Sequence, residues 1–262
     1  MIDKEVESLD QLIISLNELP NHYVYRGHSN ASWTLKPTLE RILNGTYESR
    51  ANEFEKYAID YFKARFHLYS KPYVLPESKL EWLSIMQHYG VPTRMLDFTE
   101  SSYVALYFAL ENIMKSHQGE FTIYAIDYRG IQRASFDYLE KEEEQLQITY
   151  EERYYRRNEL FDIIDGKSHE ILWFFEPSVV NPRQERQSGC FLFSGSISQT
   201  IEQVLEKNIY ENTKNYRFIV PCSLWDSIYT LLKRVNIDSK AIYGDLEGLS
   251  KSIKLFIQAY ST

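Results

Sequence analysis

The sequence predicts an α+β fold in a single domain spanning residues 1–262, with small mixed sheets flanked by helices. Three observations predict it. Hydrophobic residues make up 44% of the chain and charged residues 25%, close to the average for a globular protein. Strand-like and helix-like periods interleave without the steady strand–helix–strand alternation of a doubly wound sheet. No internal repeat or low-complexity linker divides the 262 residues, a length that one large domain can hold.

The elements follow in order. Val6, Leu9, Leu12, Ile13 and Leu16 recur at three and four, predicting a helix over 4–19 that Pro20 stops. The run 22–27 is aromatic and β-branched and ends at Gly27, which predicts a strand. Residues 33–38 are extended and 39–43 begin a short helix. A second helix over 52–66 sets Phe54, Tyr57, Ala58, Tyr61 and Phe62 on one face. A loop with Pro72 and Pro76 covers 71–80. Residues 81–89 form a helix closed by Gly90. Thr99 or Ser101 caps a helix over 103–114. The clearest strand is 121–127. The charged stretch 140–166 is expected to be a solvated surface insertion. Strands follow at 170–175, 190–193 and 218–220, with a turn over 183–189. Helices over 223–235 and 241–252 close the chain, with Asp245 as a cap.

Composition narrows the class. No apolar run approaches the roughly 20 residues that span a bilayer, and the first residues lack a basic and apolar leader. Cys190 and Cys222 have no metal-ligand spacing and read as reduced thiols in a cytoplasmic protein. A net charge of −8 argues against nucleic-acid binding by bulk electrostatics, though arginines can still converge locally. Phosphate loops, dinucleotide fingerprints, zinc motifs and nucleophile elbows are missing from the sequence.

Polar residues gather where a core would take apolar ones. Arg26 ends an apolar strand, so its guanidinium needs a planar acceptor, a carboxylate or a phosphate. Gly27 lets a backbone or a ligand approach closely. The segment 87–99 packs Gln87, His88, Thr93, Arg94, Asp97 and Thr99 around a Gly and a Pro, and Arg94 and Asp97 are spaced to pair. Arg183, Arg186 and Gln187 are expected to line the same cleft. The rings of Tyr25, Tyr89, Tyr103 and Tyr107 are available for stacking.

Tyr25-Arg26-Gly27, the run from Gln87 to Thr99, Ala105–Ala109, Arg183–Phe191 and Tyr243–Leu249 resemble the FRG domain, with Tyr25 in place of the Phe of its Phe-Arg-Gly motif. The resemblance runs from about residue 20 to about 255. It implies a bacterial, phage-defence setting near toxin genes, with an antitoxin or a chaperone as partner. The order of elements is remotely similar to that of ADP-ribosyltransferase toxins. That similarity implies NAD as substrate, no metal, and a macromolecular acceptor, either RNA, DNA or protein. Arg26, Thr99 and Glu185 or Gln187 would be catalytic; Tyr25, Gly27, His88, Arg94, Asp97, Arg183 and Arg186 would hold the nucleotide. The competing expectation is a non-catalytic nucleotide- or nucleic-acid-binding sensor that uses the same arginine-rich cleft.

Overall fold

The computed structural model describes residues 1–69, 75–177 and 182–260. Pro72, in the expected loop, lies outside them. The first strand, β1 (Ile2–Glu5), is followed by α1 (Leu9–Asn17) and β2 (Tyr23–His28). Next come α2 (Thr38–Leu43), α3 (Tyr47–Tyr69), α4 (Lys79–His88), β3 (Leu96–Thr99) and α5 (Ser102–Leu110). The strand β4 (Glu120–Asp127) leads into α6 (Tyr128–Glu142) and α7 (Arg157–Gly166). Then follow β5 (Leu172–Phe175), α8 (Pro182–Gln187), β6 (Gly189–Ser194), α9 (Ile201–Leu205) and β7 (Tyr216–Pro221). The chain ends with α10 (Trp225–Arg234), α11 (Ser239–Tyr243) and α12 (Leu246–Tyr260).

The α+β class stands. Among the described residues, seven strands join in one mixed sheet, in the order β1-β7-β4-β2-β3-β6-β5, rather than in several small ones. Only β1 and β7 run parallel; the other neighbours are antiparallel. Side chains alternate across the sheet, as the pleat requires. Tyr23, Tyr25, Phe121, Ile123, Phe218 and Val220 pack on the face covered by α1, α5 and α10. Val24, Tyr124, Ile126, Phe98 and Leu192 pack on the other, against α6 and α9. Where the sheet extends through β6 and β5, Phe191, Phe193, Trp173 and Phe175 meet α3, α4 and α7.

Several sequence expectations need correcting. The expected helix over 4–19 begins only at Leu9, where the Ser8 hydroxyl accepts from the Gln11 amide. The residues before it form β1, whose four side chains are exposed and so carry no apolar pattern. The stretch 140–166 is not a solvated insertion throughout, because Ile148, Leu160, Phe161 and Ile164 are buried in the core. The expected turn over 183–189 is instead the short helix α8, with Pro182 as its first residue, where a missing N–H costs nothing. Ser101, not Thr99, caps α5 by accepting from the Val104 amide at 3.3 Å. Asp245 does cap the last helix, accepting from the Gly248 amide at 3.0 Å. Both cysteines are free and buried. Among the described residues, no helix is long and apolar enough to cross a membrane.

Candidate functional site

Two adjacent strands part in the middle of the sheet. The β2–β3 ladder holds a single pair, Tyr25 with Thr99, although β2 pairs with β4 along its whole length. Beyond that pair Arg26-Gly27-His28 and Leu96-Asp97 are separated by a cleft of about 310 Å³, at the small end of ligand pockets. The helix α5 floors it and α8 walls it.

Gly27 accounts for the floor. A Cβ at Gly27 would lie 2.0 Å from the Ala105 carbonyl oxygen and 2.7 Å from the Ala109 nitrogen. Its missing side chain therefore admits α5, not a ligand. Gly27 still lines the cleft with its backbone.

Arg26 spans the opening. Its Nε–H donates to His28 Nε2 at 2.9 Å and its Nη1 donates to the Asp97 carbonyl oxygen at 2.6 Å. The Asp97 carboxylate is 3.9 Å away and its side chain is 58% exposed, against 17% for Arg26. Asp97 is thus a rim acceptor and not the buried counter-ion that a pure ion pair would need. Burial lowers the pKa of Arg26, while Asp97 acts in the opposite direction. Because His28 Nε2 accepts, Nδ1 carries the proton and donates to the Trp33 carbonyl at 3.3 Å. Burial, with the Arg26 charge adding to it, pushes the His28 imidazole down to about 3, so the ring is neutral.

The opposite side is a hydrogen-bonded chain. Thr93 Oγ1 donates to Gln87 Oε1 at 2.5 Å, and Gln87 Nε2 donates to Asp97 Oδ2 at 2.8 Å. Thr99 Oγ1 donates to the Gln187 carbonyl oxygen at 2.6 Å, bolting the end of α8 to β3. His88 also lines the cleft, its pKa lowered by burial and then by Arg183.

Of the expected site residues, Tyr25, Arg26, Gly27, His88, Asp97, Thr99, Arg183 and Gln187 line the cleft; Arg94, Glu185 and Arg186 do not. Arg94 is 2% exposed and spends itself on Glu55, through Nε at 2.6 Å and through Nη2, and on Asp165 at 2.6 Å. Burial opposes these charges, and the pairing outweighs it, holding the Glu55 carboxyl low and the Arg94 guanidinium high. Arg94 therefore ties α3 to α7 and does not pair with Asp97. Glu185 and Arg186 fall on the outer side of α8, because a helix turns about 100° per residue and only 183, 184 and 187 share the inner face. Arg186 instead donates to the Tyr243 carbonyl at 3.2 Å. Of the rings expected to stack, Tyr25 lines the cleft, whereas Tyr107 is buried and Tyr89 stands in solvent.

Sequence reasoning missed Trp33, Arg41, Phe108 and Glu111, all of which line the cleft. Arg41 falls in the short helix expected over 39–43 and Glu111 in the helix expected over 103–114, where a lone charge gives no signal of a site. Glu111 is in fact buried. It accepts from Tyr107 at 3.0 Å and from Tyr243 at 2.6 Å, and Lys251 Nζ lies 2.8 Å away. Tyr243 in turn presents its ring to Arg183, 4.4 Å from the centroid. Cys190 is at the cleft wall, but burial raises its thiol well above the ordinary range, which removes it as a nucleophile. Among the described residues, no group of three His, Cys, Asp or Glu side chains is placed to hold a metal ion.

No curated protein matches the chain, and no solved structure does. The FRG domain family model matches residues 21–118. That segment holds β2, β3 and α5, and with them Arg26, Asp97, Thr99 and the floor of the cleft, while α8 and β6 lie beyond it. The chain carries an FRG domain over residues 21–118.

Proposed function

We propose that the cleft binds a nucleotide of the NAD class and that the protein transfers its ADP-ribose to a macromolecular acceptor in a phage-defence setting. The observation that carries the reading is the convergence of Arg26, Arg41 and Arg183 on one cleft. Glu111 is neutralised by Lys251. Asp97 stands 3.9 Å from Arg26 on the rim, and Arg183 has Glu247 at 3.7 Å. Guanidinium groups gathered in a cavity are suited to phosphate oxygens, which their planar forks bind in pairs.

In the reaction, the bond between ribose C1′ and the nicotinamide nitrogen breaks and its electron pair leaves on nicotinamide. Positive charge builds on the ribose, and a lone pair from the acceptor closes the new bond at C1′ as the acceptor's proton passes to a base. A carboxylate near C1′ stabilises that charge. Glu185 is turned away from the cleft, so the carboxylate role passes to Asp97, which Gln87 holds in place. Thr99 fixes α8 and through it Gln187.

The test is incubation with labelled NAD and bacterial lysate, with release of nicotinamide as the first readout. Asp97→Asn should lose about 100-fold in rate, the usual scale for removing a preorganised charge, and Glu185→Gln should not change it. Protease and nuclease treatment of the labelled product then separates protein from nucleic-acid acceptors. Absence of nicotinamide release and of label transfer overturns the transferase. The exposure of Asp97 favours one second reading, a non-catalytic nucleotide-binding sensor, for which NAD binds and stays intact.

A further inference from the structure

Trp33 stands at the mouth of the cleft with 51% of its surface exposed. A tryptophan left in water usually has a reason, since its ring is among the largest apolar groups a chain can bury. The other three, Trp82, Trp173 and Trp225, are all buried. The position of Trp33 is not slack. Its amide donates to the Asn30 carbonyl at 3.1 Å. Its carbonyl accepts from the Tyr124 hydroxyl at 2.8 Å and from His28 Nδ1 at 3.3 Å. His28 is the residue whose other nitrogen receives Arg26. One hydrogen-bonded chain thus joins the Arg26 guanidinium to the Trp33 backbone through His28, and the Trp33 ring meets the His28 ring edge to face with centroids 6.3 Å apart.

Arg41 lines the same cleft. Its charge adds to the forces that lower the pKa of Arg26 and of His28, and all three line the one cleft with Trp33. Arg41 donates to Thr38 Oγ1 at 2.8 Å and has no carboxylate partner among the described residues. A half-exposed aromatic ring that lines one cleft with two arginines has the chemistry of a nucleotide subsite. Base rings stack on such a plane whatever their identity, and the cations take the adjoining phosphate.

We infer that Trp33 is the stacking platform for the aromatic base of the bound nucleotide, with Arg26 and Arg41 holding the phosphate next to that base. This rests on the reading of the cleft as a nucleotide site and adds to it which side of the cleft takes the base.

The experiment is a titration of the whole protein with NAD, ADP-ribose, AMP, nicotinamide mononucleotide and ribose 5-phosphate, read by tryptophan fluorescence and by calorimetry. Trp33 is the sole exposed fluorophore of its kind, so a stacked base quenches the exposed, red-shifted part of the emission. Base-bearing ligands should quench, and ribose 5-phosphate should not. AMP against nicotinamide mononucleotide identifies which base sits there. Trp33→Ala should weaken base-bearing ligands about 10- to 100-fold and leave ribose 5-phosphate unchanged, whereas Trp33→Phe should recover most of the affinity. If the wild-type protein binds these nucleotides but Trp33→Ala binds them equally well, the subsite is overturned and the nucleotide reading stands. If calorimetry detects no nucleotide binding to the wild-type protein, the nucleotide reading itself fails and the subsite with it.

Discussion

The Arg26 guanidinium donates to the carbonyl oxygen of Asp97, 2.6 Å away and 71 residues further along the chain. It holds two parted strands at a fixed distance, while its Nε occupies His28. Two acceptors are met by one rigid fork, which a lysine cannot reproduce. Arg26→Lys should therefore keep the charge and lose at least 10-fold in nucleotide affinity, measured by calorimetry. Arg26→Ala should in addition lower the unfolding free energy by about 1–3 kcal/mol, because His28 Nε2 and the Asp97 carbonyl lose their donor. Full affinity in Arg26→Lys would falsify the two-acceptor role.

Gly27→Ala tests the floor. The added methyl group would meet main-chain atoms of α5 at 2.0 and 2.7 Å, and these cannot move aside as the end of a flexible side chain can. The expected cost exceeds about 3 kcal/mol, among the larger single-site effects. Thermal melting of the variant beside the wild type settles it, and an unchanged midpoint would mean that α5 can lift from β2.

Acid should weaken the fold through His28. Its folded-state pKa of about 3 lies below its ordinary value of 6.5. The stability tied to its neutral form is therefore complete above pH 6.5 and is lost as pH falls from 6.5 towards 3. One such group contributes a slope of up to about 1.4 kcal/mol per pH unit. Denaturant unfolding of wild type and His28→Asn between pH 7.5 and 4 should give curves that converge as pH falls. Parallel curves would show that His28 takes up a proton freely in the folded protein.

Glu40 should act in the opposite direction. Burial pushes its carboxyl up from 4.5 to about 7, against the pull of Lys36 at 3.8 Å, and Oε2 is buried without a hydrogen bond. Folding prefers the protonated form, so the contribution of Glu40 is complete below pH 4.5 and is lost as pH rises through 7. Glu40→Gln should stabilise the protein at pH 8 by on the order of 1–2 kcal/mol and do nothing at pH 4. A variant that is less stable at pH 8 would contradict this.

Arg94→Met separates stability from binding. It leaves the buried Glu55 carboxylate to Lys79 alone, 2.9 Å away, and should cost up to about 3 kcal/mol, the low end for breaking a buried pair because one cation remains. Nucleotide affinity per folded molecule should not change, since Arg94 lies outside the cleft. A selective loss of affinity at full stability would return Arg94 to the binding site.

Much of the site was legible because its residues lie on segments whose polarity is odd for a core. Arg26 at the end of an apolar strand and Asp97 and Thr99 just before an apolar helix announced themselves in this way. The errors have physical causes. The outer residues Glu185 and Arg186 were grouped with Arg183 and Gln187 because the segment read as a turn. Read with a period of 3.6, the same letters place 183 and 187 together and turn 185 away. Arg94 had Asp97 as an obvious partner in sequence, but its real partner is Glu55 on α3, which no local pattern reveals. Leu160, Phe161 and Ile164 form a buried helical face that the charges around them concealed. Trp33 was invisible as a site residue because exposure decides its meaning, and exposure is not written in the letters.

The parting of β2 from β3 also has a meaning in time. Arg26 and Asp97 are 71 residues apart, and the bolt from Thr99 reaches residue 187, 88 positions on. On the ribosome the near wall and floor are made first, and the far wall comes only after β6 has emerged. Loops of this length close slowly relative to local contacts. A nascent chain that has released the FRG segment alone has bare edges at β3 and at β2 and no enclosed cleft. The cleft has no far wall until α8 and β6 have been synthesised.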